Sequence, residues 1–158
     1  MQDIKPFLWF NDNAEEAAQF YVSVFPKAKM GSILRAPEGG PSKPGSVLTV
    51  AFTIGGVEFM ALNGGPHHAF TDALSLVVPC DSQAEIDATW DKLLAGGGQE
   101  VACGWLRDRF GVTWQVVPAN IGQLLEGWDA EGNKRAMQAM MQMKKLDIDA
   151  LKRAGGSA

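Results

Sequence analysis

Short apolar runs with the two-residue alternation of strands and stretches with helical spacing follow one another along this chain, and the same order occurs twice. Ile4 to Phe10 (IKPFLWF) is a compact apolar run rich in aromatics and reads as a strand, broken by Asn11 to Asn13. Ala17, Phe20, Tyr21 and Val24 then recur at helical spacing, with Asn13 placed as N-cap ahead of Glu15 and Glu16, and Pro26 ends the helix after Phe25. Ser32 to Ala36 predicts a strand. Pro37 to Ser46 holds three prolines and three glycines without periodicity and reads as a mobile surface loop. Val47 to Ile54 and Val57 to Leu62, joined by Gly55-Gly56, predict a tight β-hairpin.

The second half repeats this order. Leu74 to Val78 predicts a strand and Ser82 to Leu94 a helix, with Ser82 as N-cap, Glu85 completing a capping box, and Gly96-Gly97-Gly98 as the stop. Strands follow at Glu100 to Leu106 and Val112 to Val117. Local echoes support a duplication: Asn13-Ala14-Glu15-Glu16 answers Gln83-Ala84-Glu85-Ile86, Phe20 answers Trp90, and Gly56 to Met60 answers Gly111 to Gln115. The expected fold is therefore α+β, built from two βαβββ modules. Module one spans about 3–66 and module two about 72–118 of one 158-residue domain, with a helical extension over about 120–154.

That extension carries Met137, Met140, Met141 and Met143 with Ala136 and Ala139, an apolar stripe expected to pack on the body of the protein or on a second subunit. Leu146 to Arg153 predicts one more short helix, started by Asp147 or Asp149 and frayed at Gly155-Gly156-Ser157.

Composition narrows the partners. With 46% hydrophobic and 20% charged residues the chain reads as a soluble globular protein. A net charge of -4 and scattered lysines supply no field for phosphate, which argues against nucleic acid. No run is long enough to span a bilayer and Met1 to Phe10 lacks a signal-peptide core, so the expected location is the cytoplasm, without membrane contact. Cys80 and Cys103 form neither metal spacing nor a disulfide framework and are expected to be reduced.

The chemistry centres on Gly104 to Pro118 (GWLRDRFGVTWQVVP). Trp114, Val116 and Pro118 alternate with Thr113, Gln115 and Val117, so one face packs while the other looks into a cavity. Gln115 needs a partner there, because an unpaired buried amide costs about 1–3 kcal/mol. Cys103 and Trp105, two apart on the preceding strand, are expected to share a face. Trp105 would be a stacking plate, and Cys103 a small buried thiol more readily than a nucleophile, since nothing nearby lowers its pKa. Arg107 and Arg109 flank Asp108 and could form an anion clamp, but the simpler expectation is that one of them pairs with Asp108 and the other is solvated.

FLWFNDNAEEAAQFYVSVFP, ALNGGP, CGWLRDRFGVTWQVVP and MQMKKLDIDALKRA together resemble the PhnB-like family, whose members are often labelled 3-demethylubiquinone-9 3-methyltransferase. It is a branch of the vicinal oxygen chelate, or glyoxalase/bleomycin-resistance, superfamily. The resemblance implies that the paired modules curl into an open barrel around a pocket, in a homodimer. It also implies divalent-metal ligands on the first and last strands of each module. Aligned on Phe20-Tyr21 and on Asp108 to Gly111, those positions fall at Pro6, Met60 and Gln115, and the strand Leu74 to Val78 offers no His, Asp or Glu. One amide does not make a metal site, so no metal and no cofactor are expected. Gln115, His67 and His68 are the weak metal candidates. The two histidines are adjacent, without a carboxylate at ligand spacing, and read more simply as a solvated loop.

Methyl transfer from S-adenosylmethionine commonly uses a Gly-rich turn between a parallel strand and a helix, which Gly96 to Gly98 and Gly39-Gly40 do not provide. The expected function is therefore metal-free binding of a small organic molecule in an apolar cavity, with pocket candidates Leu8, Phe10, Met60, Leu62, Cys103, Trp105 and Gln115. The alternative is an enzyme, either a metal-dependent isomerase, lyase or dioxygenase, or the labelled 3-demethylubiquinone 3-methyltransferase.

Overall fold

The computed structural model describes residues 4–156 and divides into two compact units, Met1–Phe70 and Thr71–Ala158. The first contains β1 (Phe7–Phe10), α1 (Ala14–Val24), β2 (Lys29–Arg35), β3 (Val47–Ile54) and β4 (Val57–Asn63). Its sheet order is β1-β4-β3-β2, with β1 parallel to β4 and the other pairs antiparallel. A parallel β1–β4 pair needs a crossover, which α1 supplies.

Register decides the faces of this sheet. Leu8 pairs with Ala61 and Val50 with Ala61, while Trp9 pairs with Leu62 and Ala51 with Met60. Leu8, Phe10, Val50, Phe52, Phe59 and Ala61 thus form one buried face, against which α1 lays Ala14, Ala17, Ala18, Tyr21 and Val24. Tyr21 meets Phe52 at 5.8 Å between ring centroids. Phe7, Trp9, Ala51, Met60 and Leu62 look the other way.

One local expectation changes. Asn13 stands before α1 but makes no side-chain cap, because its φ of -115° and ψ of 27° are not the extended geometry a capping side chain requires. Asn63 at the end of β4 caps instead: its Oδ1 accepts from the Ala14 N–H at 2.8 Å while its amide donates to the Val47 carbonyl at 3.1 Å. The Pro- and Gly-rich loop is tied at its base, where Ala36 N–H donates to Ser46 and Gly45 N–H to Ala36.

The second unit contains β5 (Leu76–Cys80), α2 (Gln83–Leu94), β6 (Gln99–Glu100), β7 (Trp105–Arg107) and β8 (Thr113–Pro118). Its order β5-β8-β7-β6, with β5 parallel to β8, repeats that of the first sheet. Ile86, Trp90 and Leu93 of α2 are buried together with Leu106, Trp114 and Val116 of the sheet. The N-terminus of α2 is capped as its sequence predicts, Ser82 accepting from the Glu85 N–H, although the Glu85 carboxylate reaches back to Asp81 N–H.

β5 begins two residues later than the alternation suggested. The strand expected over 100–106 is interrupted by a turn at 102–104, where Cys103 has φ 55° and Gly104 φ 83°. That turn frees two N–H groups from the ladder, and they bind the C-terminal extension: Cys103 N–H donates to Met143 and Gly104 N–H to Lys144.

The extension forms α3 (Ile121–Glu126), α4 (Ala130–Met141) and α5 (Ile148–Gly156). Gln83 of α2 secures it from the other side, accepting from Ile148 N–H and donating to the Leu146 carbonyl. Asp147 caps α5 by accepting from the Ala150 N–H. Of the glycines expected to fray, Gly155 is packed, since a Cβ there would lie 2.1 Å from the Trp128 indole nitrogen, while Gly156 is exposed and Ser157 lies outside the described residues. The methionine stripe divides, with Met140 and Met143 half-buried and the other two at the surface. Gly132 and Ala136 face inward, whereas Met137 and Met141, one turn apart, are 41% and 62% exposed. Among the described residues no helix is long and apolar enough to cross a membrane.

Candidate functional site

The face of the second sheet opposite α2 gathers most of its polar side chains. On β7 and β8, Trp105 sits directly across from Gln115 and Arg107 across from Thr113, two rungs on one face. Gln115 finds the partner its position demands, its Nε2 donating to Ser75 Oγ at 2.8 Å. One rung along, Arg107 Nε donates to Asp72 Oδ1 at 2.8 Å and Arg107 Nη2 to Asp72 Oδ2, while Thr113 Oγ1 donates to Asp72 Oδ1 at 2.7 Å. These hydrogen bonds pull the Asp72 carboxyl from 3.8 down to about 2 and raise the Arg107 guanidinium further.

Arg107 is thus spoken for by Asp72. Asp108 does not pair with Arg107 and is buried in its own turn: Oδ1 accepts from Phe110 and Val112 N–H, and Oδ2 from the Trp114 indole.

The sequence-predicted pocket residues divide. Trp105 and Gln115 are brought together as cross-strand partners, both half-buried. Cys103 leaves the face expected for it, because it lies in the turn before β7 and not on a strand. In the first unit Met60 and Leu62 share a half-buried face, whereas Leu8 and Phe10 are buried on the opposite one. Trp9 and Phe7 are the β1 residues on the Met60 side. Asp72, Ser75 and Thr113 were not singled out from sequence. The signal for Thr113 was its position three residues after Phe110, as Arg107 is three before it, which makes the two cross-strand partners.

The first unit also holds a cleft of about 930 Å³ at the start of α1, lined by Asp12, Glu15, Ser42, Leu62, Asn63 and His67 among others. His67 forms part of its wall. His68 turns away and sets its ring edge-on to Trp9 at 4.7 Å, while the Trp9 indole donates to the Gly65 carbonyl.

The superfamily's metal does not fit these residues. Pro6 precedes β1 and offers only its carbonyl, which already accepts from Met60 N–H. Met60 is a thioether, and Gln115 gives its amide N–H to Ser75. Among the described residues no three His, Cys, Asp or Glu side chains converge on a point where an ion would sit. S-adenosylmethionine, implied by the methyltransferase label, fares no better in a strand-to-helix turn. The β1–α1 junction is Asn11-Asp12-Asn13 and the β5–α2 junction Asp81-Ser82, and neither has the glycine that lets backbone approach a nucleotide.

The sequence profile of the family described as 3-demethylubiquinone-9 3-methyltransferase matches residues 2–117. Among solved structures, a PhnB protein from Bacillus cereus described as a candidate 3-demethylubiquinone-9 3-methyltransferase is 39% identical, over 73% of this chain and 99% of its own, with a TM-score of 0.66. Protein PA1353 from Pseudomonas aeruginosa is 23% identical over 75% of this chain and 98% of its own, TM-score 0.62. The fosfomycin resistance protein FosX from Mesorhizobium loti is 15% identical over 73% and 89%, TM-score 0.53. These last two share the fold. No curated protein is significantly similar in sequence.

Proposed function

The chain belongs to the PhnB-like family described as 3-demethylubiquinone-9 3-methyltransferase, with the glyoxalase/bleomycin-resistance fold, and on that premise we propose that it binds a small organic molecule without a metal. The open face of the second sheet is the binding surface. The observation that carries this is the Trp105–Gln115 rung: an aromatic plate beside an amide whose nitrogen Ser75 holds and whose oxygen meets no donor among the described residues. An aromatic plate with an oriented polar group beside it takes a planar molecule that stacks on the indole and donates to the amide oxygen.

Calorimetric titration with 2-naphthamide, a neutral planar donor, tests this. Trp105→Ala and Gln115→Ala should each weaken binding about tenfold, or 1.4 kcal/mol. Equal affinity in wild type and both variants, or no binding to any of them, would refute it. The same reading makes the protein a cytoplasmic homodimer. Two free thiols suit a reducing compartment, and the exposed Met137 and Met141 suit a subunit contact. Light scattering on a sizing column, showing a monomer at micromolar concentration, would remove the dimer.

A further inference from the structure

The rung next to Trp105–Gln115 is already occupied by part of the protein itself. Three donors, Arg107 Nε, Arg107 Nη2 and Thr113 Oγ1, converge on the Asp72 carboxylate, a fork with a third hydrogen bond that suits any carboxylate. Asp72 belongs to segment 71–75, whose Thr71, Ala73 and Leu74 are exposed, Leu74 by 66%. That segment is fastened to the sheet by the site's own side chains: Asp72 through Arg107 and Thr113, and Ser75 through Gln115.

We propose that Arg107 and Thr113 form a carboxylate subsite beside the Trp105–Gln115 rung, and that Asp72 fills it in the resting protein as a built-in competitor. The proposal rests on the binding function above and names its ligand class. Rungs two residues apart on one face lie about 6.5–7 Å from each other. That separation matches the reach from a carboxylate to the far ring of a fused aromatic system stacked on Trp105, so the class is planar aromatic carboxylates. Entry of the ligand carboxylate displaces Asp72 and loosens segment 71–75; an uncharged analogue binds on the Trp105 rung and leaves the ion pair intact.

The test compares 2-naphthoate with 2-naphthamide on the full chain, by calorimetry, in wild type, Asp72→Ala, Asp72→Asn and the double variant Asp72→Ala with Arg107→Gln. Removing the competitor should tighten naphthoate about tenfold or more and leave naphthamide within about twofold. The double variant should lose that gain, and raised salt should erode it. Asp72→Asn keeps the shape of the side chain, and gives the same reading if Asp72→Ala fails to fold. Naphthamide binding with no naphthoate gain in either Asp72 variant overturns the subsite and leaves the binding function standing. Equal gains for both probes also overturn it. Failure of naphthamide to bind any of the proteins sinks both.

Discussion

Asp108 offers a sharp test of what holds the second unit together. It is 4% exposed, and its carboxylate accepts from Phe110 N–H at 2.8 Å, Val112 N–H at 3.1 Å and the Trp114 indole at 2.8 Å. Val112 and Trp114 are 4% and 2% exposed, so water does not reach those donors in place of the carboxylate. Asp108→Ala strips the acceptor from both, and each stranded buried donor costs about 1–3 kcal/mol, which puts the variant at roughly 2–6 kcal/mol below wild type. Asp108→Asn keeps one oxygen for the backbone pair and turns its NH2 on the Trp114 N–H, stranding one donor, for about 1–3 kcal/mol. Since a domain's total stability is about 5–15 kcal/mol, the alanine variant should be close to unfolding. Urea denaturation followed by circular dichroism gives the ordering, and the Trp114 indole proton resonance reports locally. A cost below about 1 kcal/mol for alanine, or the same cost for both variants, would refute the account.

Asn63→Ala should cost about 1–2 kcal/mol and speed amide exchange in the first turn of α1, whereas Asn13→Ala should stay within about 0.5 kcal/mol; the reverse order would return the cap to Asn13. Iodoacetamide should label half-buried Cys103 well before Cys80, whose thiol is 3% exposed and pushed up by burial, as read by peptide mass spectrometry; equal rates would mean that β5 opens readily. Stability should fall in acid. Asp72, Asp87 and Glu100 are held below their ordinary carboxyl range by the Arg107, Lys145 and Trp90 hydrogen bonds respectively, so their stabilisation is present at and above that ordinary range and is lost as the pH falls below it, for Asp72 toward about 2. All three are partly exposed, so the loss is modest and shrinks with salt. A urea midpoint that rises between about pH 5 and pH 3 would contradict the sign.

The repeated βαβββ order, the Gly55-Gly56 hairpin, the Ser82 cap and the need of Gln115 for a partner were all legible, because each depends on near neighbours and on period. What was not legible depended on register between distant strands. Leu8 and Phe10 look like cavity residues in a strand that alternates, but pairing Leu8 with Ala61 turns them toward α1 and leaves Trp9 and Phe7 beside Leu62 and Met60. A shift of one residue exchanges the faces, and nothing within IKPFLWF determines it. Cys103 was misplaced for a related reason. Alternation through 100–106 reads as one strand, while the positive φ at Cys103 and Gly104 is imposed by carbonyls some 40 residues further along, at Met143 and Lys144.

The two units keep one packing scheme and differ in what their open faces carry. On the helix-facing side Phe59 and Ala61 of β4 hold the places that Trp114 and Val116 hold in β8, all of them buried and apolar. On the side away from the helix β4 carries Met60 and Leu62 with Trp9 and Phe7 beside them, whereas β8 carries the buried Thr113 and half-buried Gln115 beside Arg107 and Trp105. A duplicated fold tolerates such divergence on the open side, because those positions are not needed to bury α1 or α2. The polar set in the second unit is also not self-explanatory as packing. Thr113, Asp72 and Arg107 could be apolar there without leaving any buried donor unpaired, and the backbone N–H groups of the β7–β8 ladder are already satisfied across the strands. Hydrogen-bonding capacity kept on one face, when the fold is held by the other, suits the proposed ligand site, and under that proposal substitutions at Trp105, Arg107 and Gln115 should alter binding before they alter folding.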